Sequence, residues 1–206
     1  MATPLIAVLD YGIGNLRSAQ KALEKVGADA RLTSDASVVR AADATVLPGV
    51  GNFGACMSAL RASGLADLVY ERVECGKPFL GICVGMQMLF ESSEESPDVA
   101  GLGVIRGAVR YLPDTVKRPQ MQWNRLHIGS VDDVFAGLPA EPWMYFVHSL
   151  HCVPVDSSRV VATTSYGCEV AAAVRQENVI AVQFHPEKSA TDGLMLLRNF
   201  VAMVRA

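Results

Sequence analysis

The chain has no basic stripe, no long apolar run and no paired cysteines. Charged residues make up 19% of its 206 positions and the formal net charge is −3, which excludes an electrostatic footprint for nucleic acid. No apolar stretch approaches membrane-spanning length, so no membrane partner is expected. The first ten residues carry neither a basic leader nor an extended apolar region, so no signal peptide is expected. The five cysteines, at 56, 75, 83, 152 and 168, are scattered and form no Cys-x-x-Cys pair. That pattern argues against a disulfide framework or a zinc site and for reduced thiols in a cytoplasm. Repeats, low-complexity tracts and linkers are lacking too. Half of the residues are hydrophobic, enough core for one domain over 1–206.

Strand-like and helix-like segments alternate in the first half. Leu5–Leu9 reads as a strand and a helix follows from Leu16 to about Val26, with Asn15 as its cap and Gly27 as its stop. Arg31–Thr33 and Thr45–Leu47 read as strands around a short helix at Val38–Ala42. Helices at Ala55–Ala62 and Leu65–Cys75 precede an apolar strand from Phe79. This alternation predicts an α/β fold whose mostly parallel central sheet carries helices on both faces. Glycine-rich breaks at 12–14, 49–51 and 81–85 each follow a strand, so parallel strands would gather them at one edge, where such sheets bind ligands. A dinucleotide fingerprint at Gly12-x-Gly14 is rejected because position 17 is Arg. In the second half, strands are predicted at Val104–Tyr111, Trp123–Ile128 and Trp143–Val147. A hairpin over Val160–Tyr166 and Ala171–Arg175, a strand at Val179–Phe184 and a helix over Gly193–Val204 follow.

Two stretches carry chemistry. Gly81-Ile82-Cys83-Val84-Gly85 places a cysteine between glycines at a strand-to-helix turn. That is the arrangement of a nucleophile elbow, with the N–H groups of the helix start behind the side chain. Taken alone, the same pattern also fits a structural cysteine between two core elements. In His185-Pro186-Glu187 the proline holds His185 extended, and residues two apart in an extended segment share a side, so Glu187 can pair with the imidazole. Nucleophile, proton carrier and orienting carboxylate are then Cys83, His185 and Glu187. A surface histidine on a turn is the plainer reading of His185 by itself. Pro48-Gly49-Val50-Gly51 is a candidate for half of an oxyanion hole through Gly49 and Val50, the N–H of Val84 being the other donor. His148-x-x-His151-Cys152 has metal-like residue types but no second ligand cluster, so structural use is expected, with no metal and no cofactor.

With these residues together, the chain resembles the class I glutamine amidotransferases, of flavodoxin-like fold. Within them it is similar to the glutaminase subunits of imidazole glycerol phosphate synthase. The similarity runs nearly end to end. Its motifs are Asp10-Tyr11-Gly12-x-Gly14-Asn15-Leu16, Leu47-Pro48-Gly49-Val50-Gly51, Gly81-Ile82-Cys83-x-Gly85-Met86-Gln87, Ser93-Glu94-Glu95-Ser96, Trp123-Asn124, Tyr145-Phe146-Val147-His148-Ser149 and Val182-Gln183-Phe184-His185-Pro186-Glu187-Lys188-Ser189. The resemblance implies hydrolysis of L-glutamine through a Cys83 thioester. It implies that Gln87 and Glu95 hold the amino-acid end of glutamine, and that backbone groups of Gly49, Gly51, Ser149 and Leu150 position the rest. It also implies that ammonia passes to a (β/α)-barrel cyclase subunit docked over Asn15, Trp123 and Lys188. Two stretches depart from the family pattern, which has His-Met-Gly before the Trp-Asn and aromatics after the His-Ser. Here these are Gln120-Met121-Gln122 and Leu150-His151-Cys152. The departures leave room for a different synthase partner. A non-catalytic module on the same fold is a further alternative, which the complete Cys83, His185 and Glu187 set opposes.

Overall fold

The computed structural model describes residues 3–204. The first half runs β1 (Leu5–Leu9), α1 (Leu16–Lys25), β2 (Asp29–Thr33), α2 (Ala36–Ala41), β3 (Ala44–Gly49), α3 (Phe53–Ala62), α4 (Leu65–Glu74), β4 (Phe79–Cys83) and α5 (Val84–Met88). The second half is richer in strands. It contains β5 (Ser92–Ser93), β6 (Gly107–Tyr111), β7 (Gln120–Arg125), β8 (His127–Ile128), β9 (Trp143–His148), β10 (Leu150–Pro154), β11 (Val160–Ser165), β12 (Glu169–Gln176), β13 (Val179–Val182) and α6 (Ala190–Met203).

The central sheet has the order β2-β1-β3-β4-β13-β12-β11-β8. Pairings from β2 through β13 are parallel, and those from β13 to β8 are antiparallel. The parallel part therefore has the flavodoxin-like order, with the sheet reversing direction of growth at β1. Every residue of β3, β4 and β13 is buried, as expected of parallel strands covered on both faces. Helix α1 packs against α6, while α2 and α3 pack against α4. Two small sheets, β10-β6-β5 and the ribbon β7-β9, lie beside the main one.

The glycine-rich breaks meet as the alternation predicts. In the parallel ladder Leu47 lies opposite Gly81, Pro48 opposite Ile82 and Gly49 opposite Cys83. Strand β3 thus runs through Pro48-Gly49 instead of ending at Leu47. A proline is tolerated in this central strand because the β1 ladder stops at Val46. Beyond it the Tyr11 hydroxyl donates to Pro48 O at 2.6 Å.

Other boundaries moved for local reasons. The segment expected as a single strand at Trp123–Ile128 divides at buried Leu126, giving β7 to the ribbon and β8 to the main sheet. The strand expected from Val104 begins only at Gly107. Leu150-His151-Cys152, which carries no strand expectation in the sequence, is strand because it pairs with β6. Asn15 precedes α1 without a side-chain cap bond, whereas Asn52 does cap α3, its Oδ1 accepting from Ala55 N at 3.0 Å. Gly27 ends α1 as expected, with φ 96°.

The close approach of β3 and α5 rests on glycine. A Cβ on Gly85 would lie 1.9 Å from Leu47 O, a backbone atom that cannot swing away. Gly76, by contrast, has open space around it and only a positive φ of 73°. Gly76→Ala should cost about 1–2 kcal/mol through backbone strain alone. Gly85→Ala should cost about 3 kcal/mol or more, because α5 must move off the sheet. Urea midpoints of the two variants check this, and equal losses would contradict the close-packing account.

Candidate active site

Cys83 is the last residue of β4 and the residue before α5. Its backbone lies at φ 55°, ψ −114°, a conformation that L residues rarely hold. Strain of this kind, of order 1–3 kcal/mol, persists only where the surroundings over-determine it. Here β3 on one side and β13 on the other fix the strand, and Gly85 lets α5 start immediately. The consequence is that the thiol leaves the sheet edge and faces a cavity of about 240 Å³.

His185 follows β13 with extended backbone, φ −103° and ψ 94°. Its N–H donates to Tyr145 O at 3.0 Å and its carbonyl accepts from Ser189 Oγ at 2.6 Å, so the main chain is held on both sides. Nδ1 lies 2.8 Å from Glu187 Oε1, with both side chains buried. The contact is the expected one, but its geometry is not the expected strand alternation. Pro186–Lys188 form a single 3-10 turn, and that turn brings the carboxylate back beneath the ring. Glu187 Oε2 and His185 Nε2 are buried without hydrogen-bond partners among the described residues.

The imidazole is electrostatically coupled to the thiol. Burial alone would pull the His185 pKa down. The neighbouring Cys83 sulfur, together with the Glu187 carboxylate bonded to Nδ1, outweighs that and pushes it up to about 10. The raised value keeps the proton on the ring at neutral pH. His148, also buried in the cavity wall, behaves oppositely: burial holds it neutral, with a pKa of about 4. Its Nδ1 donates to Leu150 O at 2.7 Å. Burial pushes the Cys56 and Cys152 thiols upward, so these are protonated core cysteines.

Gly51, Gln87, Glu95, Ser149 and Leu150 all line the cavity with Cys83, Val84 and Val50. Gly49 does not line it. It sits one step behind, on a narrow crevice shared with Asn15, His185 and Glu187. Glu95 Oε2 accepts from Phe53 N at 2.6 Å, which docks the carboxylate on the first turn of α3. The Ser149 carbonyl accepts from Leu112 N at 2.9 Å, and Leu150 O takes the His148 bond, so the turn between β9 and β10 is rigid. Sequence reasoning assigned no site role to Pro119, Val147 and His148, which complete the wall. Strands β7 and β9 carry no nucleophile or glycine signal, and long-range pairing, of β9 with β7 and of Tyr145 with His185 and Ser189, brings these residues here. Gln183 carries no role in the sequence reading either, and its Nε2 lies 3.8 Å from the Cys83 sulfur.

The interface candidates lie at the surface around this edge. Asn15 and Lys188 are exposed, and Trp123 is 43% exposed on β7. Trp123 packs edge-on against Tyr145, the residue that accepts the His185 N–H through its carbonyl. The departing residues Gln120 and Gln122 differ in burial by their place along the ribbon, since residues two apart on β7 share a face. Gln122 points to solvent, while Gln120 is fully buried opposite His148, with both amide atoms unpartnered among the described residues.

A raised histidine pKa has a defined sign in stability. The unfolded imidazole titrates near 6.5, so the charged ring stabilises the fold fully below that pH and loses its contribution as pH rises through about 10. The His185 ring protons should therefore titrate near pH 10 in the native chain by NMR. They should titrate lower in Cys83→Ala, where the sulfur is gone. An unchanged titration in that variant would show that Cys83 does not raise it.

Comparison with known proteins adds a family to this geometry. Residues 7–204 match the family model of class-I glutamine amidotransferases. The imidazole glycerol phosphate synthase subunit HisH of Methanothermobacter thermautotrophicus is 49% identical over 202 residues, covering 98% of this chain and 100% of that one. The HisH subunit of Syntrophotalea carbinolica is 48% identical over 203 residues, covering 95% and 98%. Among solved structures, one described as a glutamine amidotransferase superposes with a TM-score of 0.77 at 24% identity, covering 98% of this chain and 99% of the other. PurLQS from Thermotoga maritima gives 0.76 at 22% identity, covering 98% and 99%, and both of these likenesses speak to the fold alone. The chain belongs to the class-I glutamine amidotransferases and, within them, to the family of HisH subunits of imidazole glycerol phosphate synthase.

Proposed function

We propose that this chain is the glutaminase of an imidazole glycerol phosphate synthase, hydrolysing glutamine to glutamate and ammonia for histidine biosynthesis. The observation that carries the reading is the Cys83–His185–Glu187 arrangement. A strained elbow cysteine faces the cavity, beside a histidine whose other nitrogen is 2.8 Å from a buried carboxylate. Near-half identity to HisH subunits over nearly the whole chain supports the assignment of pathway.

The proposed chemistry follows from the charges. Cys83 sulfur attacks the side-chain carboxamide carbon, and the oxygen takes on negative charge. The N–H of Val84 faces that oxygen at the start of α5, and the Gly49–Val50 peptide is the second donor. The imidazolium of His185 gives its proton to the departing nitrogen, and ammonia leaves. Once the sulfur is tied up in a thioester, its negative charge has gone. The main influence raising the His185 pKa then disappears, so the same ring becomes a base able to take a proton from water. Attack of that water releases glutamate and restores the thiolate. Glu187 holds the ring orientation through both halves. Gln87, Glu95, Gly51, Ser149 and Leu150 hold glutamine, with Gly49 acting through its peptide bond to Val50.

The ammonia passes to a cyclase subunit with a (β/α)-barrel, in a cytoplasmic heterodimer, where it reacts with a phosphoribosyl-formimino substrate that is split into imidazole glycerol phosphate and aminoimidazole carboxamide ribotide. The cyclase docks on Asn15, Trp123 and Lys188. The packing of Trp123 on Tyr145, and the bond from His185 N to Tyr145 O, give a bound partner a physical route to the site. Enclosure keeps ammonia unprotonated and therefore nucleophilic.

Glutaminase activity of the purified chain should rise greatly when a purified cyclase subunit and its nucleotide ligand are added together. In that complex Cys83→Ala should abolish glutamine-dependent synthesis and leave ammonia-dependent synthesis intact. No rise with a cyclase that is active on ammonia would refute the partner, and loss of both activities in a folded complex would refute the role of Cys83.

A further inference from the structure

Gln183 is fully buried directly after β13, two residues before His185. Its backbone N–H donates to Ala172 O at 2.9 Å, which fixes its Cα against β12. The side chain crosses to α5. Nε2 lies 3.8 Å from Cys83 Sγ, and Oε1 accepts from Gln87 Nε2 at 3.1 Å. The same Gln87 nitrogen lies 3.5 Å from Leu150 O. No hydrogen bond among the described residues uses Gln87 Oε1, and Gln87 lines the cavity.

The sense of this chain of amides is set at one end. A primary amide donates through nitrogen and accepts through oxygen. A sulfur carrying negative charge takes donors only, so it turns Nε2 of Gln183 toward itself. Oxygen Oε1 of Gln183 must then face Gln87, and it draws the Gln87 nitrogen inward. What remains for the cavity is an acceptor, Gln87 Oε1, suited to an ammonium group. Reversing Gln183 would set a carbonyl oxygen against the sulfur and a nitrogen against a nitrogen.

We infer that Gln183 is a positioning residue that couples the charge on Cys83 to the hydrogen-bonding sense of Gln87, so that the chain presents an acceptor to the α-ammonium group of glutamine while the nucleophile is a thiolate. This rests on the proposed roles of Cys83 and Gln87. The coupling also has a direction in time. When the sulfur becomes a thioester its hold on Gln183 weakens, and the hold on the amino-acid end weakens with it.

Alkylation of the full-length protein by iodoacetamide across pH, read at Cys83 by peptide mass spectrometry with and without glutamine as protectant, tests the inference. In Gln183→Met the alkylation rate at neutral pH should fall on the order of tenfold, the size of one lost charge-assisted hydrogen bond. The midpoint of the pH profile should rise, and more glutamine should be needed for half-protection, with the circular dichroism spectrum retained. Gln183→Glu, nearer in shape, should move the midpoint the same way. Folded variants with the wild-type midpoint and protection overturn the inference, and so does a lowered melting temperature with an unmoved midpoint. If the native chain is not alkylated at Cys83 ahead of its other cysteines, the nucleophile assignment itself fails, independently of Gln183.

Discussion

The fit of α5 against β3 is the constraint from which the rest of the site follows. With the Gly85 Cβ position only 1.9 Å from Leu47 O, no side chain is tolerated there, and the helix begins directly at the end of β4. That abruptness forces Cys83 into positive φ and pushes its thiol off the sheet. The same contact constrains Gly49, whose own Cβ would meet Gly85 N at 2.7 Å. The nucleophile and the proposed oxyanion peptide are therefore placed by one backbone-to-backbone approach. Their relative position does not depend on flexible side chains.

Parallel topology supplies the second half of the site. Because β4 and β13 run side by side, in register from Phe79 opposite Val179 to Ile82 opposite Val182, their ends arrive together. Cys83 and the Gln183-Phe184-His185 step are then neighbours, although 100 positions separate Cys83 from Gln183. The 3-10 turn folds Glu187 under the imidazole, and the ribbon strand β9 ties the turn down through Tyr145. Burial would leave this histidine neutral, as it does His148. The neighbouring Cys83 sulfur and the Glu187 carboxylate reverse that outcome for His185. Two buried histidines in one cavity thus hold opposite charge states, each for a local electrostatic reason.

Much of this was readable in the residues. Strand–helix alternation identified the α/β class, and the Gly-x-Cys-x-Gly and His-Pro-Glu stretches pointed to the residues now found together. What was not readable depended on long-range pairing. The Leu150–Pro154 strand carries a proline and a histidine that obscure its alternation, and it exists because β6 is there to receive it. The Trp123–Ile128 run looked continuous, yet its two ends belong to different sheets. Glu187 meets His185 as the two-residue spacing predicts, but through a 3-10 turn and not through strand alternation. Gln183 stands in the motif around His185, but an amide in an apolar run has no assignable role until its partners are known.

The central claim is that Cys83 forms a covalent intermediate with glutamine. Acid quenching of the chain with its cyclase partner and ligand during turnover, followed by intact and peptide mass spectrometry, tests it most directly. The account predicts a glutamyl adduct confined to the peptide holding Cys83, absent from Cys83→Ala. Steady glutamine hydrolysis with no adduct on Cys83, or with the adduct on another residue, would contradict it.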